Sequence, residues 1–315
     1  MSARTSPLTP ARGFTLVVLA ALCWGTSGLT GDVVADRTGL DPLDIAWHRM
    51  AVGAAVLGVV HLARHPPART PVTGALRRRL LGVGAGLAVY QSAYFAAVAT
   101  AGVSIATLVS LGLAPLLVAV GSAVLGHGRP DRATGLALAV ALAGLVLLVG
   151  VSASADDGGA VLLGALSAVG CAIAYAGVVL LSAQVPDGVP TTTVGFTAGA
   201  VLLTPVALGA GLDLTGDPLS LALLVYLGVV PTALAYGLFF TGVRVVPAAV
   251  ASIVTLLEPL TATALAAAVL GERLAPTALV GGALMLGAVT ALYLRRMGDS
   301  NSRGLAPNPL SKRAP

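Results

Sequence analysis

The sequence predicts an all-α integral membrane protein with ten transmembrane helices arranged as two inverted five-helix repeats. The first observation behind this prediction is composition. Of the 315 residues, 57% are apolar and 10% are charged, and the mean hydropathy is +0.93. A soluble domain carries roughly 25% charged residues. The other two observations are the number of long apolar segments and a similarity between the two halves of the chain.

Ten apolar segments are long enough to cross a bilayer, which takes about 17–25 residues of helix. In lipid, only a helix or a closed barrel satisfies every backbone hydrogen bond, so we expect each segment to be a helix. The connections are short and rich in Gly, Pro, Asp and Arg, which leaves no room for a separate soluble domain. Numbered spans 1 to 10, the segments lie at approximately 14–34, 44–62, 80–99, 105–125, 134–151, 161–183, 192–210, 219–241, 248–270 and 277–294.

The basic residues predict how the chain sits in the membrane. If the N-terminus is cytoplasmic, most of the 18 Lys and Arg residues fall in cytoplasmic segments, and the opposite loops collect aspartates instead. The positive-inside rule therefore favours a multi-pass protein of the cell membrane with both termini in the cytoplasm. The polar segment 298–315 is expected to be a disordered cytoplasmic tail.

The two halves of the chain match in order. Pro115 of span 4 corresponds to Pro259 of span 9, and each is followed at a similar interval by a Leu-Gly pair. Each half has five spans, an odd number, so the halves enter the membrane from opposite sides. Inverted repeats of this kind are a recurrent plan of secondary transporters, with the substrate site between the repeats. The two predicted units are 14–151 and 161–294.

A series of short motifs gives the chain a family likeness. The motifs are Cys23-Trp24-Gly25-Thr26-Ser27, Arg49, Leu257-Glu258-Pro259, Leu270-Gly271-Glu272-Arg273-Leu274 and the glycine-rich span 10. Through them the chain resembles the drug/metabolite transporter (DMT) superfamily, in its ten-helix EamA-type branch, over about 14–294. The first half departs from the pattern, with Ala114 at the place of Glu258. The resemblance implies a transporter with a central cavity, often an exporter of amino acids or other small metabolites.

Glu258 and Arg49 are the charged candidates for the transport site. A charge at the centre of a membrane helix costs about 2.5–3.5 kcal/mol on insertion scales, so it usually faces a cavity or a partner. Glu258 can bind a substrate amine or a proton, or it can tie the backbone at Pro259 to a neighbouring helix. Arg49 can bind a substrate carboxylate through its bidentate fork, pair with Glu258, or reach the membrane interface.

Large side chains with polar edges also lie away from the span ends. Tyr90 and Tyr94 are one helical turn apart and share a face. Aromatic faces can wall a cavity or hold an amine, whereas the alternative is packing between helices with the hydroxyl bonded across the interface. The predicted substrate-binding residues are Trp24, Arg49, Tyr90, Gln91, Tyr94, Tyr175, Tyr236 and Glu258.

The sequence favours a secondary transporter that exports small metabolites such as amino acids by alternating access, with the proton as a candidate coupling ion. We expect a small-molecule substrate and the lipid bilayer as partners, and no nucleic acid, cofactor, metal or catalytic residue. Monomer and homodimer both stay open. The alternatives are export of drug-like cations, a channel, and an intramembrane hydrolase or transferase. The spans lack the paired aspartates that a magnesium-dependent transferase would need and the His-Glu-x-x-His of a zinc protease, whereas an enzyme without a recognisable motif, such as one with a Ser/His pair, stays open.

Overall fold

The computed structural model describes residues 8–63, 73–126, 129–149, 158–186, 189–270 and 275–305. Within these ranges the chain is helical, with no strand. Ten helices there are long and apolar enough to cross a membrane, which confirms the predicted number. They are Pro10–Thr38, Pro42–Ala63, Gly74–Val98, Ile105–Val124, Arg132–Val149, Leu162–Ser182, Thr191–Ala210, Pro218–Gly242, Ala248–Val269 and Pro276–Arg295.

Spans 1, 8 and 9 each change conformation near the middle, since spans 1 and 9 are interrupted and span 8 contains the π-helical segment Val229–Leu234. Their counterparts in the other repeat, spans 6, 3 and 4, have no such break in the described residues. Discontinuous helices are typical of transporter sites because the break exposes backbone groups and helix ends at membrane depth. The six pieces are Pro10–Gly25 and Ser27–Thr38 in span 1, Pro218–Gly228 and Ala235–Gly242 in span 8, and Ala248–Val254 and Leu257–Leu270 in span 9.

Spans 3 and 4 follow one another without leaving helical conformation, from Gly74 to Val124. The Tyr94 hydroxyl nevertheless lies 3.1 Å from the hydroxyl of Thr107. A straight helix rises about 1.5 Å per residue, which would put these two residues about 20 Å apart along the axis. The chain therefore reverses between them, and the long helical stretch forms two spans.

Span 10 belongs to a helix that continues to Leu305. This helix includes the start of the segment expected to be a disordered tail, and the remainder, 306–315, lies outside the described residues. The Gly-Glu-Arg-Leu motif at 271–274 and residues 127–128 of the first half also lie outside them. The expectations for these segments therefore stay predictions.

Close helix crossings occur in equivalent pairs of spans. A Cβ atom added at Gly53 of span 2 would lie 3.2 Å from the carbonyl oxygen of Gly228 in span 8. A Cβ atom at Gly199 of span 7 would lie 3.2 Å from the carbonyl oxygen of Gly84 in span 3. Span 2 corresponds to span 7, and span 8 to span 3. The same small-residue contact is thus made once on each side of the internal symmetry, as an inverted repeat requires.

Two ion pairs also join the repeats, one at each face of the bundle. Arg37 at the end of span 1 pairs with Asp217 at 3.2 Å, and Arg295 at the end of span 10 pairs with Asp131. Each aspartate also accepts the backbone N–H three residues further along the chain. These donors stabilise the charged carboxylates, so the pKa values of Asp217 and Asp131 lie well below the usual range.

Candidate functional site

The break in span 1 lies directly against Glu258 of span 9. The first helix of span 1 ends at Gly25, where an added Cβ atom would lie 2.8 Å from the Glu258 carbonyl oxygen. It would also collide with the side chain of Thr261. Only glycine lets the two backbones approach this closely. The glycine of the span 1 motif therefore brings the end of one helix next to the lone acidic residue of span 9.

The two hydroxyl residues of the same motif satisfy the end of that helix. Thr26 donates to the carbonyl of Cys23 at 2.8 Å, and Ser27 donates to the carbonyl of Trp24 at 2.7 Å. Carbonyls at a helix end have no partner within the helix, so these bonds replace the missing ones. Tyr226 of span 8 donates to the Thr26 hydroxyl at 2.9 Å. Span 8 is thereby fixed to the break in span 1.

Glu258 lies in the first turn of the helix Leu257–Leu270, after the interruption of span 9. The N-terminal end of a helix carries partial positive charge, which favours a carboxylate at this position. Pro259 fits the first turn because its missing N–H has no partner there. The Glu258 side chain is only partly buried, and among the described residues its carboxylate makes no hydrogen bond or ion pair. No described contact ties it to a neighbouring helix.

Arg49 faces the same region from span 2. Its Nε donates to the hydroxyl of Thr232 at 3.3 Å, and its terminal nitrogens have no partner among the described residues. Arg49 and Glu258 interact electrostatically, but their nitrogen and oxygen atoms are more than 4.0 Å apart. Two opposite charges therefore lie within electrostatic range of each other without forming an ion pair.

Two aromatic pairs lie near Glu258, and they join equivalent pairs of spans. Trp24 of span 1 packs edge-on against Tyr236 of span 8 with ring centroids 4.8 Å apart. Tyr90 of span 3 packs against Tyr175 of span 6 at 5.5 Å. Spans 1 and 6 are equivalent, as are spans 8 and 3. The three tyrosines all lie within electrostatic range of Glu258, so the structure brings these predicted residues together.

One polar atom in each aromatic pair is buried without a partner. Trp24 is 4% exposed and Tyr175 is 6% exposed. The indole Nε1 and the Tyr175 hydroxyl have no hydrogen-bond partner in the part of the chain that the structure describes. The nearby Thr255 hydroxyl donates to the carbonyl of Ser252 instead, at 2.8 Å. An unsatisfied buried polar group costs about 1–3 kcal/mol, so a ligand that bonds these two atoms would regain that energy.

The other predicted residues occupy different settings. Tyr94 interacts with Glu258 electrostatically, but its hydroxyl is bonded to Thr107. Gln91 is buried in span 3 and makes no side-chain hydrogen bond to a described residue. His48, which precedes Arg49 in span 2, is bonded through Nδ1 to the carbonyl four residues earlier at 2.7 Å.

Several residues that contact Trp24, Tyr236 and Arg49 were not predicted from the sequence. Phe196 and Phe240 contact the ring of Tyr236, with centroids 4.7 and 5.8 Å apart, and Phe239 contacts Trp24 at 5.3 Å. Apolar aromatic residues carry no distinguishing signal in an apolar sequence. Thr232 was also missed, although it directly follows Pro231. A hydroxyl beside a mid-span proline can replace a lost backbone hydrogen bond, and that signal could have identified it.

A separate cavity of about 530 Å³ opens at one end of the bundle. It lies on the face that carries the Asp131–Arg295 ion pair, between the ends of spans 4, 6 and 8 and the starts of spans 5 and 9. Arg129 and Arg244 stand at its exposed rim, and Leu180, Val246 and Val250 form part of its apolar wall. This cavity provides an opening toward the arginine-rich face.

Comparison with known proteins gives a consistent match over both repeats. The model of the EamA-like transporter family matches residues 11–150 and again 160–294. An uncharacterized transporter of Bacillus subtilis, YwfM, is 31% identical over 274 residues, or 86% of this chain and 90% of that protein. An uncharacterized transporter of Archaeoglobus fulgidus is 31% identical over 282 residues, or 88% of this chain and 94% of that protein. One solved crystal structure shares the fold, with a TM-score of 0.75 at 23% identity, over 90% of this chain and 97% of that one.

Proposed function

The chain belongs to the EamA-like transporter family and is a multi-pass membrane transporter, and on that premise we propose that it exports small zwitterionic metabolites such as amino acids. Transport proceeds by alternating access, without a catalytic step. The observation that carries this proposal is that Glu258 and Arg49 interact without forming an ion pair, together with the unsatisfied buried donors of Trp24 and Tyr175.

The arrangement suits a molecule that carries an ammonium and a carboxylate group. Glu258 holds the ammonium, and the terminal nitrogens of Arg49 hold the carboxylate in a bidentate contact. The aromatic pairs Trp24–Tyr236 and Tyr90–Tyr175 pack around the bound substrate and add cation–π attraction for its ammonium group. Trp24 and Tyr175 donate to further oxygen atoms of the substrate. Each contact satisfies a group that the described chain leaves without a partner.

The two faces of the bundle support export as the direction of transport. The cavity on the arginine-rich face is the entrance from the cytoplasm, and both termini lie on that side in the cell membrane. The interruptions of spans 1, 8 and 9 let the helix halves tilt around the site when access changes sides. Glu258 binds either a proton or the substrate ammonium. Inward proton flow across the cell membrane therefore drives export, because protonation from outside displaces the substrate.

Export of drug-like cations is the second candidate, since Glu258 and the aromatic walls also fit a cation without a carboxylate. Arg49→Gln distinguishes the two. For a zwitterion, we expect the affinity to fall at least tenfold, because a charged hydrogen bond contributes about 1.5–3 kcal/mol. For a cation, removal of a nearby positive charge leaves the affinity unchanged or raises it.

The test is transport by purified protein in proteoliposomes with an imposed pH gradient, after a thermal-shift screen of amino acids and organic cations. We expect Glu258→Gln to lower the transport rate at least tenfold while the protein still inserts. Asp36→Asn is the matched control, because it removes an exposed carboxylate near the end of span 1. Unchanged transport by Glu258→Gln removes Glu258 from the mechanism. If no amino acid moves under either direction of gradient, the proposed function is wrong.

A further inference from the structure

We propose that Thr232 is a positioning residue that orients Arg49 and links it to the π-helical segment of span 8. Binding of a substrate carboxylate at Arg49 then changes the geometry of that segment and of the helix that follows it. This inference rests on the proposed function, because it takes Arg49 as a contact of the substrate. The experiment below separates its failure from failure of the proposed function.

The hydroxyl of Thr232 repairs the hydrogen bond that Pro231 removes. In an α-helix, the N–H at position 231 would donate to the carbonyl of Leu227, but proline has no N–H. Span 8 responds with the π-helical segment Val229–Leu234, and the Thr232 hydroxyl donates to the Leu227 carbonyl at 2.8 Å. Thr232 and Leu227 are both buried, so this carbonyl has no access to water. The hydroxyl proton of Thr232 is therefore used in a hydrogen bond within span 8.

The oxygen of the same hydroxyl accepts the hydrogen bond from Arg49 Nε. A hydroxyl has one proton and two lone pairs, so it can serve the Leu227 carbonyl and Arg49 together. With Nε occupied, the plane of the guanidinium group is set, and its terminal nitrogens present a fork for a planar two-oxygen anion. One hydroxyl thus connects a substrate-binding charge to the irregular backbone of span 8.

The Thr232 side chain has little freedom to turn away from this position. Span 2 crosses span 8 at Gly53, where an added Cβ atom would lie 2.6 Å from the Thr232 methyl carbon. Movement of Arg49 is therefore transmitted to span 8 rather than absorbed by a rotamer change. The next turn of span 8 begins the helix Ala235–Gly242 and carries Tyr236, which packs against Trp24.

The first repeat lacks this arrangement. The helix crossings make Gly228 equivalent to Gly84, so the position equivalent to Thr232 is Ala88. Ala88 has no hydroxyl and lies in a regular helix. The Arg49–Thr232 bond therefore joins the two repeats, and it has no counterpart at Ala88. Irregular backbone maintained at a ligand contact is common at functional sites, since π-helical turns are costly in isolation.

The test compares an amino acid that the wild-type protein exports with the corresponding amino acid amide, which keeps the ammonium and lacks the carboxylate. The variants are Thr232→Val, which removes the hydroxyl with little change of shape, Thr232→Ser, which restores it, and Thr241→Val. Thr241 is a matched control because it lies in the same span and its exposed hydroxyl donates only to the Gly237 carbonyl, at 2.7 Å.

We expect Thr232→Val to raise the KM for the amino acid roughly 5- to 10-fold and the KM for the amide less than twofold, because Arg49 loses the bond that orients its guanidinium group and keeps its contacts with the substrate. Thr232→Ser and Thr241→Val should stay within about twofold of wild type for both compounds. Adding the amino acid should alter hydrogen exchange of the Val229–Leu234 amides in wild type but not in Thr232→Val.

Equal losses for the amino acid and the amide in Thr232→Val would assign Thr232 a merely structural role and overturn the inference. An unchanged KM for the amino acid and the amide in Thr232→Val would also overturn the inference, because the hydroxyl would then have no effect on substrate binding. If Thr232→Val does not fold, Thr232→Ala gives the same comparison. A further check is Arg49→Lys, which lacks Nε, because in that background Thr232→Val should have no additional effect on the KM for the amino acid. If wild type transports neither compound, the proposed function fails and Thr232 is not implicated.

Discussion

Tyr175→Phe removes a single oxygen atom and should change stability and substrate affinity in opposite directions. The Tyr175 hydroxyl is buried without a hydrogen-bond partner among the described residues, and its ring packs against Tyr90. Phenylalanine keeps the ring contact and the shape of the side chain. The substitution therefore tests only the hydroxyl.

The expected magnitudes follow from the burial of this group. Tyr175 is 6% exposed, so its hydroxyl loses its bonds to water on folding, and the hydroxyl of Thr255 beside it already donates to the Ser252 carbonyl. An unsatisfied buried polar group costs about 1–3 kcal/mol, and its removal should raise the free energy of unfolding of the substrate-free protein by up to about 1 kcal/mol. A hydrogen bond to substrate contributes about 0.5–1.5 kcal/mol, so its loss should weaken binding about 2- to 10-fold.

The control is Tyr94→Phe, because the Tyr94 hydroxyl has a partner 3.1 Å away in Thr107. Its loss leaves Thr107 with one bond fewer and should lower the thermal midpoint. The assay is thermal unfolding in detergent, with and without an exported amino acid, together with the affinity from transport kinetics. A lower midpoint for substrate-free Tyr175→Phe with unchanged affinity would refute the reasoning, since the hydroxyl would then be a structural donor.

Three further predictions concern packing, charge and pH. Gly25→Ala puts a methyl group 2.8 Å from the Glu258 carbonyl oxygen and should cost about 1–3 kcal/mol of stability. Gly28→Ala is the control and should be neutral, because no atom lies within 4 Å of the added methyl group. Equal thermal midpoints for the two variants would contradict the close approach at Gly25. The charge swap Arg49→Glu with Glu258→Arg should not restore transport, because the two groups are not in direct contact, and full recovery would show an ion pair. Asp217→Asn should lower the thermal midpoint at pH 7. Folding lowers the pKa of this carboxyl, so the stabilisation from its charge is complete above the unfolded pKa of about 3.9. The stabilisation is lost as the pH falls toward the folded pKa. The difference in thermal midpoint between Asp217→Asn and wild type should therefore shrink only below about pH 4. A constant difference down to pH 2 would contradict this assignment.

The sequence by itself determined the membrane class, the ten spans and the two repeats. These features depend on local composition and on periodicity along the chain. A bilayer admits only segments whose own backbone hydrogen bonds are complete, so an apolar run of the right length is already a helix. Glu258 was visible for the same reason, since a lone acid stands out against an apolar background. The predicted ion pair with Arg49 was plausible from charge alone, but it required a distance that the sequence does not contain.

Only the tertiary structure decided which residues meet and which lack partners. The unsatisfied donors of Trp24 and Tyr175 depend on every neighbour that surrounds them. The contact of Gly25 with span 9 depends on the crossing of two helices far apart in the chain. Thr232 acquired its role because the crossing at Gly53 holds it against Arg49. Sequence patterns record the preferences of single segments, whereas a transport site is made by the arrangement of several, and that arrangement is fixed by side-chain packing across the repeat.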